Sequence, residues 1–195
     1  MRFGLLSTAL MAANQGTAVM AAHQMSMNVM NLSFSFGAGL QATAIALVGY
    51  SLGAKDYEKA KDYGRTCQMV ATCISLVNAL LLFVGGRWIC GLFFQEPEIV
   101  EVGVLILRIL AVSIAFQNPT LVFMGILRGS GDTKYTAKVS GISISIIRPA
   151  VSWIFCYGAN LGIGGVWLGM LVDQVVRFTC GGLRFKSGKW TKIKI

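Results

Sequence analysis

The chain contains a stretch of 52 residues, from residue 3 to residue 54, that carries no Lys, Arg, Asp or Glu side chain. A membrane-spanning helix needs about 20 residues, so a run of this length must turn at least once. The best turn signal in it is Asn14-Gln15-Gly16. Only 13% of all residues in the chain are charged, against about 25% in soluble domains. The sequence therefore excludes an ordinary water-soluble enzyme and a disordered chain.

Further uncharged runs occupy residues 66–86, 109–127 and 149–172. We predict an all-α integral membrane protein, a helical bundle of five full transmembrane helices plus one truncated N-terminal helix. The predicted helices cover about 1–13, 17–52, 58–85, 98–128, 134–158 and 164–184. Residues 1–184 are expected to form one bundle and residues 185–195 a basic cytoplasmic tail. The short first run fits either a signal peptide or a helix that begins partway along its length.

Clusters of basic residues separate the apolar runs and predict which side of the membrane each link occupies. They lie at 53–65, 128–138 and beyond residue 183, whereas the links at 14–16, 86–97 and 158–163 carry at most one basic residue, Arg87. Because cytoplasmic loops are rich in Lys and Arg, we predict a multi-pass cell-membrane protein with both termini cytoplasmic. Trp190 in the tail is expected to anchor the chain at the membrane interface. The net charge of +9 then reflects this topology, and no nucleic-acid partner is expected.

No pattern in the sequence indicates a catalytic or metal site. The five cysteines form no Cys-x-x-Cys pair and the chain has one histidine, His23. We therefore expect no metal, no disulfide framework and no bound cofactor, and we interpret the cysteines as small apolar residues. No nucleophile–base pair or carboxylate dyad is visible, so we predict that the protein is not an enzyme.

Polar side chains follow one face of the second predicted helix. Their spacing of i, i+4, i+7 and i+11 is that of a helical stripe, formed by Gln24, Asn28, Asn31 and Ser35. A polar stripe is costly in lipid, so it should face water or other helices. It therefore either lines a cavity that hydrogen-bonds a substrate or joins helices together. Two further cavity candidates, Gln117 and Asn118, lie mid-span beside Pro119.

Three charged side chains fall inside predicted spans: Arg148, Asp173 and Arg177. Arg148 and Asp173 each lie about twelve residues from the turn near residue 160, which places both roughly 18 Å deep. We therefore expect an interhelical ion pair between them near the midplane, with Arg177 as the rival partner one turn from Asp173. The small-residue pairs Gly49/Gly53, Gly125/Gly129 and Gly165/Gly169 are expected to let helix backbones approach closely.

Four stretches together carry a family resemblance. They are Gly16-Thr17-Ala18-Val19-Met20-Ala21-Ala22-His23-Gln24, Leu47-Val48-Gly49-Tyr50-Ser51-Leu52-Gly53-Ala54, Leu127-Arg128-Gly129-Ser130-Gly131-Asp132-Thr133 and Gly162-Ile163-Gly164-Gly165-Val166-Trp167. In this order and at these spacings the chain resembles the multidrug and toxic compound extrusion (MATE) transporters. Members of that family have twelve membrane helices in two lobes, so the resemblance implies that this chain is the C-terminal lobe and that an N-terminal lobe is missing. It also favours a truncated first helix over a signal peptide.

The resemblance implies an antiporter that exports small organic cations by alternating access, driven by a proton or sodium gradient. Some family members carry a carboxylate for cation coupling near the place where this sequence has the amides Gln117 and Asn118. Ion binding at that point of this chain is therefore in doubt. Two alternatives remain: a truncated or split membrane fragment without independent transport, and a lipid-linked sugar flippase of the wider superfamily.

Overall fold

A computed structural model describes residues 16–192 of the chain. Five long helices dominate it: α1 (Thr17–Gly53), α2 (Tyr57–Phe93), α3 (Pro97–Gly129), α4 (Thr133–Gly158) and α5 (Ile163–Lys186). Each is long and apolar enough to cross a membrane. The predicted all-α membrane bundle with five full spans is therefore confirmed. The predicted helix 1–13 lies outside the described residues.

The links between helices are short. Their residues either cap a helix end with a hydrogen bond or adopt a left-handed backbone conformation that reverses the direction of the chain. Between α1 and α2, Lys55 takes a left-handed conformation with φ of 59°, and the Asp56 carboxylate accepts a hydrogen bond from the Lys59 N–H at 3.1 Å. The hydrogen bonds and positive charge of Lys59 hold the pKa of Asp56 below its ordinary value. Between α3 and α4, Gly131 has φ of 82°, which glycine adopts without steric cost.

The end of α2 differs from the prediction. The predicted helix stopped at residue 85, but α2 continues to Phe93, so that the expected link of residues 86–97 shrinks to the three residues between α2 and α3. Gly86 does not break the helix because it is buried against the Leu107 side chain of α3. Cys90, one turn farther, is fully buried beside Gly103. Packing against α3 therefore offsets the poor helix propensity of the glycines.

Helix α4 contains two wide turns with π-type hydrogen bonding, at Ser143–Ile147 and Ile154–Gly158. The first ends two residues before Pro149, which has no N–H and would clash with the preceding turn of a regular α-helix. The wide turn absorbs this clash, and the Arg148 N–H bonds to the Ser143 carbonyl oxygen, five residues back. Ser143 and Arg148 are thereby placed near one another on the side of α4 that meets α5.

Helix α3 is central and packs against α1, α2 and α5. Its Gly125 and Gly129 lie against α1: a Cβ atom added to Gly125 would be 2.8 Å from the Gln41 carbonyl oxygen, and one at Gly129 would be 2.7 Å from that of Ile45. Close approach at this glycine pair is therefore confirmed. Gly165 and Gly169 of α5 likewise face the α4 backbone. The prediction fails for Gly53, because a Cβ atom added there would meet no other helix within 4 Å among the described residues.

The chain folds back on itself after α5. Gly188 has φ of 65°, and the short 3-10 helix Lys189–Lys192 that follows returns Trp190 to the bundle. The indole is 1% exposed, stacks on the Phe185 ring with centroids 5.4 Å apart and donates its N–H to the Phe185 carbonyl oxygen at 2.9 Å. The Trp190 indole, predicted as an interfacial anchor, is thus packed inside the protein, where its hydrogen bond and its apolar surface are satisfied.

Candidate functional site

The polar stripe of α1 points away from the bundle. All four of its side chains are exposed, while the opposite face of α1 is buried through Ala22, Met25 and Ser26. Within residues 16–192 the structure gives no hydrogen bond to the amide groups of Gln24, Asn28 and Asn31; the Ser35 hydroxyl donates to the Asn31 carbonyl oxygen of its own helix at 3.0 Å. The stripe therefore does not join the five described helices together. Within residues 16–192 its side chains are open to a ligand or to another protein body.

The same face of α1 changes character along its length. Beyond Ser35 it continues with the exposed small residues Gly39, Ala42 and Ala46, at steps of four, three and four residues. The half of α1 nearer Gly16 thus offers hydrogen-bonding groups, and the half nearer Gly53 offers a flat surface without polar side chains. A hydrogen-bonding ligand on this face would accordingly bind near the Gly16 half.

Gln117 and Asn118 do not belong to this face. Both are buried on α3, with exposed fractions of 4% and 0%, and Asn118 lies against Gly37 on the inward side of α1. Within the described part of the chain the Asn118 amide has no hydrogen-bond partner for either polar atom. In this arrangement the two amides lie inside the bundle, away from the stripe. Periodicity within one helix could not reveal this, because which face is covered depends on the neighbouring helices.

The three intramembrane charges meet at one point between α4 and α5. The predicted ion pair is present, with Arg148 Nη2 and Asp173 Oδ2 2.6 Å apart. Arg177 binds the same carboxylate, Nη2 to Oδ2 at 2.8 Å and Nε to Oδ1 at 3.1 Å, so the two arginines are joint partners. The Ser143 hydroxyl donates to Oδ1 at 2.6 Å. Asp173 is completely buried, and these donors provide hydrogen bonds to both of its carboxylate oxygens.

Sequence reasoning missed Ser143, because only the wide turn before Arg148 brings it to the carboxylate. It also missed the ion pair of Arg184, which in the sequence is only one of the basic residues beyond residue 183. The Arg184 guanidinium binds the Asp132 carboxylate at 2.7 Å and lies 5.0 Å from the Tyr135 ring centroid. The Tyr135 hydroxyl donates to the Cys180 carbonyl oxygen at 3.1 Å. Together these contacts fasten the α3–α4 turn to α5.

His23 is a further polar residue, for which the sequence predicted no position in the bundle. It is 4% exposed, its ring centroid lies 5.4 Å from that of Trp167, and its Nδ1 atom has no hydrogen-bond partner within residues 16–192. It faces the core, on the side of α1 opposite the stripe. No group of three or more metal-binding side chains occurs in the described part of the chain.

Comparison with known proteins gives one family match and several relatives. A family model described as MatE matches residues 2–154. Probable multidrug resistance protein NorM of Thermotoga maritima is 28% identical over 177 residues, covering 91% of this chain and 38% of that protein. The Listeria monocytogenes protein of the same name is 34% identical and covers 80% and 34%. Multidrug and toxin extrusion protein 1 of Oryctolagus cuniculus is 29% identical and covers 79% and 27%.

Solved structures agree in fold. A multidrug resistance MATE family transporter in an outward-facing conformation superposes with a TM-score of 0.89 at 19% identity, covering 98% of this chain and 43% of that one. A eukaryotic MATE transporter superposes with a TM-score of 0.82 at 21% identity, covering 89% and 39%. The chain thus spans less than half the length of these relatives and structures.

Proposed function

The chain belongs to the MatE family of membrane transporters, and we propose that it acts as the C-terminal lobe of a multidrug exporter. The observation that carries this proposal is the exposed polar stripe of α1. A second body, corresponding to the remainder of the longer relatives, would stand opposite that face. The stripe would then form one wall of a cavity between two lobes.

The cost of exposing polar groups supports this arrangement. Side chains that can hydrogen-bond are unfavourable against hydrocarbon, and intramembrane polar groups normally face water or protein. The Gln24, Asn28 and Asn31 amides have no partner within residues 16–192, so contact with lipid would leave them unsatisfied. A water-filled cavity satisfies them when it is empty and a substrate satisfies them when it is full.

Organic cations are the substrate class that we propose for this cavity. The amide carbonyls of the stripe supply uncharged acceptors, which can bind a cation without holding it as strongly as a carboxylate would. The relatives are named for multidrug resistance and for multidrug and toxin extrusion. We propose alternating access, in which two lobes rock about a central site, as the transport mechanism.

We further propose that the coupling ion, a proton or sodium, acts outside this lobe. Asp173 already accepts hydrogen bonds from Arg148, Arg177 and Ser143, and a carboxylate held in this way is a poor carrier of protons. Gln117 and Asn118 are neutral and cannot titrate. We propose that the group whose charge changes during transport lies in the other lobe.

The proposal is tested by ethidium efflux from energised cells that lack their own pumps. The chain would be extended by the N-terminal lobe of a relative such as the Thermotoga maritima protein. Asn28→Leu with Asn31→Leu should reduce efflux about tenfold or more if two hydrogen bonds to the transported cation are lost. Thr43→Val, an exposed change on a different face of α1, should leave efflux unchanged. Equal efflux by all three proteins would overturn the cavity assignment, and no efflux by any of them would favour a fragment without transport.

A further inference from the structure

Two arginines near the Gly16 end of the bundle line one cavity, and neither is bound by a carboxylate among the side chains that the structure describes. Arg87 of α2 and Arg108 of α3 face a space of about 260 Å³, with Glu101 of α3 also on its wall. The described residues contain no ion pair that involves these three side chains. Arg108 instead lies over the Phe83 ring, 5.9 Å from its centroid. The cavity wall thus carries two positive charges and one negative charge, and none of the three has an ion-pair partner among the side chains that the structure describes.

The sequence places both arginines at the same boundary of the hydrocarbon layer. The uncharged run 66–86 ends immediately before Arg87, and the uncharged run 109–127 begins immediately after Arg108. Each run is roughly 30 Å long as a helix, which matches the hydrocarbon thickness. Packing of Gly86 against Leu107 brings the two ends to one height. Trp88, beside Arg87 and 72% exposed, has the position of an interfacial aromatic residue.

A separate apolar groove lies on the side of Arg87 and Arg108 that is nearer the middle of the bilayer. It has a volume of about 320 Å³ and runs between the same two helices, where α2 contributes Leu76, Leu80 and Phe83 and α3 contributes Ala111, Val112 and Ala115. The small side chains of the alanines create the groove, and the leucines and Phe83 form its wall. The distance along α2 from Phe83 to Leu76 is about 10 Å, enough for roughly half of an acyl chain that spans one leaflet of ~15 Å.

We infer that the α2–α3 groove binds a phospholipid whose headgroup carries both a phosphate and a primary ammonium, as phosphatidylethanolamine does. The phosphate binds Arg87 and Arg108, because guanidinium groups match phosphate geometry and charge. The ammonium faces Glu101, which lies two helical turns farther along the α3 surface, on the side of Arg108 away from the groove. One acyl chain occupies the groove below Phe83.

Glu101 decides between headgroups. The trimethylammonium of phosphatidylcholine has no N–H to donate to a carboxylate, and the glycerol headgroup of phosphatidylglycerol has no cation. The two arginines would bind the phosphate of phosphatidylglycerol, but the Glu101 carboxylate would be left without a cation to pair with. The structure therefore favours a headgroup with both signs of charge over one with a negative charge alone.

Native mass spectrometry of the purified 195-residue chain tests the inference. The chain is titrated in detergent with phosphatidylethanolamine, phosphatidylcholine and phosphatidylglycerol that carry identical acyl chains. Phosphatidylethanolamine should bind at least several-fold more tightly than the other two. Arg87→Gln with Arg108→Gln should weaken it about tenfold or more, since two charge-assisted contacts are lost. Glu101→Gln should remove the preference over phosphatidylglycerol.

Lys138→Gln, which removes an exposed base on α4, is the matched control and should change nothing. Circular dichroism of every variant identifies those that remain folded, and only these are compared. Equal binding of the three lipids, or unchanged binding in the double arginine variant, would overturn the inference. A dimer in the same spectra that dissociates on Arg108→Gln would assign the groove to a second copy of the chain and would equally overturn it.

Discussion

Two nitrogen atoms of Arg148 donate hydrogen bonds to the same oxygen of Asp173: Nε at 3.2 Å and Nη2 at 2.6 Å both donate to Oδ2. Arg177 and Ser143 donate the remaining hydrogen bonds to the Asp173 carboxylate. One buried negative charge is therefore shared by two positive charges, one on α4 and one on α5. Such a cluster in a membrane bundle costs desolvation, and its retention depends on every donor being present. The cluster therefore fixes the relative position of α4 and α5 more than it adds net stability.

Removing the carboxylate should be worse than removing the whole cluster. Asp173→Ala leaves two buried guanidinium groups without a counter-ion, and we expect a loss of about 3–5 kcal/mol in unfolding free energy. The triple variant Asp173→Leu, Arg148→Met, Arg177→Met should recover most of that loss. Thermal unfolding of the purified chain in detergent measures both, with the exposed Arg128→Met as control. A triple variant less stable than Asp173→Ala would contradict this account.

Sequence predicted this cluster in part. Arg148 and Asp173 lie the same number of residues from the α4–α5 turn, which predicts equal depth in the membrane. Arg177 lies one helical turn from Asp173, which predicts it as a second candidate partner. The Ser143 contact could not be predicted, since it requires the wide π-type turn that Pro149 induces. In a regular helix residues five apart do not share a face, so the wide turn changes which side chains point at α5.

Long-range packing explains the other differences between sequence and structure. The periodic stripe on α1 follows from spacing alone, whereas the inward direction of Gln117 and Asn118 depends on where α1 lies. The continuation of α2 past Gly86 depends on Leu107 in another helix. Trp190 is buried only because Gly188 reverses the chain onto Phe185. The basic composition of the tail does not indicate this turn.

Substitution of Gly129 should distinguish close helix packing from open glycines. The added methyl of Gly129→Ala would lie 2.7 Å from the Ile45 carbonyl oxygen, and backbone cannot move aside as a side chain can. We expect a loss of about 1–3 kcal/mol in unfolding free energy. Gly39→Ala, where nothing lies within 4 Å in the described structure, should instead gain up to about 1 kcal/mol from helix propensity. Equal effects in detergent unfolding would refute the packing argument.

The contact between Asp132 and Arg184 should hold the α3–α4 turn closed. Asp132→Asn keeps the side-chain shape and removes the charge, so we expect a loss of about 1 kcal/mol locally, because the Arg184 side chain is partly exposed to solvent. Hydrogen exchange at residues 129–133 should become several-fold faster, while exchange in α1 stays unchanged. Lys186→Gln is the control. Unchanged exchange in the turn would show that the ion pair does not fasten it.

Topology is predicted from the distribution of basic residues and from the positions of the turns. In a background without the five native cysteines, Gln95→Cys in the α2–α3 link should react with an impermeant maleimide added outside intact cells. Lys59→Cys should react only after the membrane is opened. Both positions are exposed, so access alone does not separate them. Reaction of Lys59→Cys from outside would reverse the predicted orientation.

The 195-residue chain alone should not export drugs against a gradient. Alternating access requires two bodies that move about a site between them, and α1 supplies one wall of such a site. The carboxylate that lies deepest in the described spans, Asp173, is bound by two arginines and is unsuited to carry protons. Ethidium efflux from energised cells without their own pumps should therefore require the chain extended by an N-terminal lobe, with equal amounts of both proteins in the membrane. A homodimer could rebuild two walls, and cross-linking would detect it. Gradient-dependent efflux by the 195-residue chain, abolished by an uncoupler, would show that one lobe suffices.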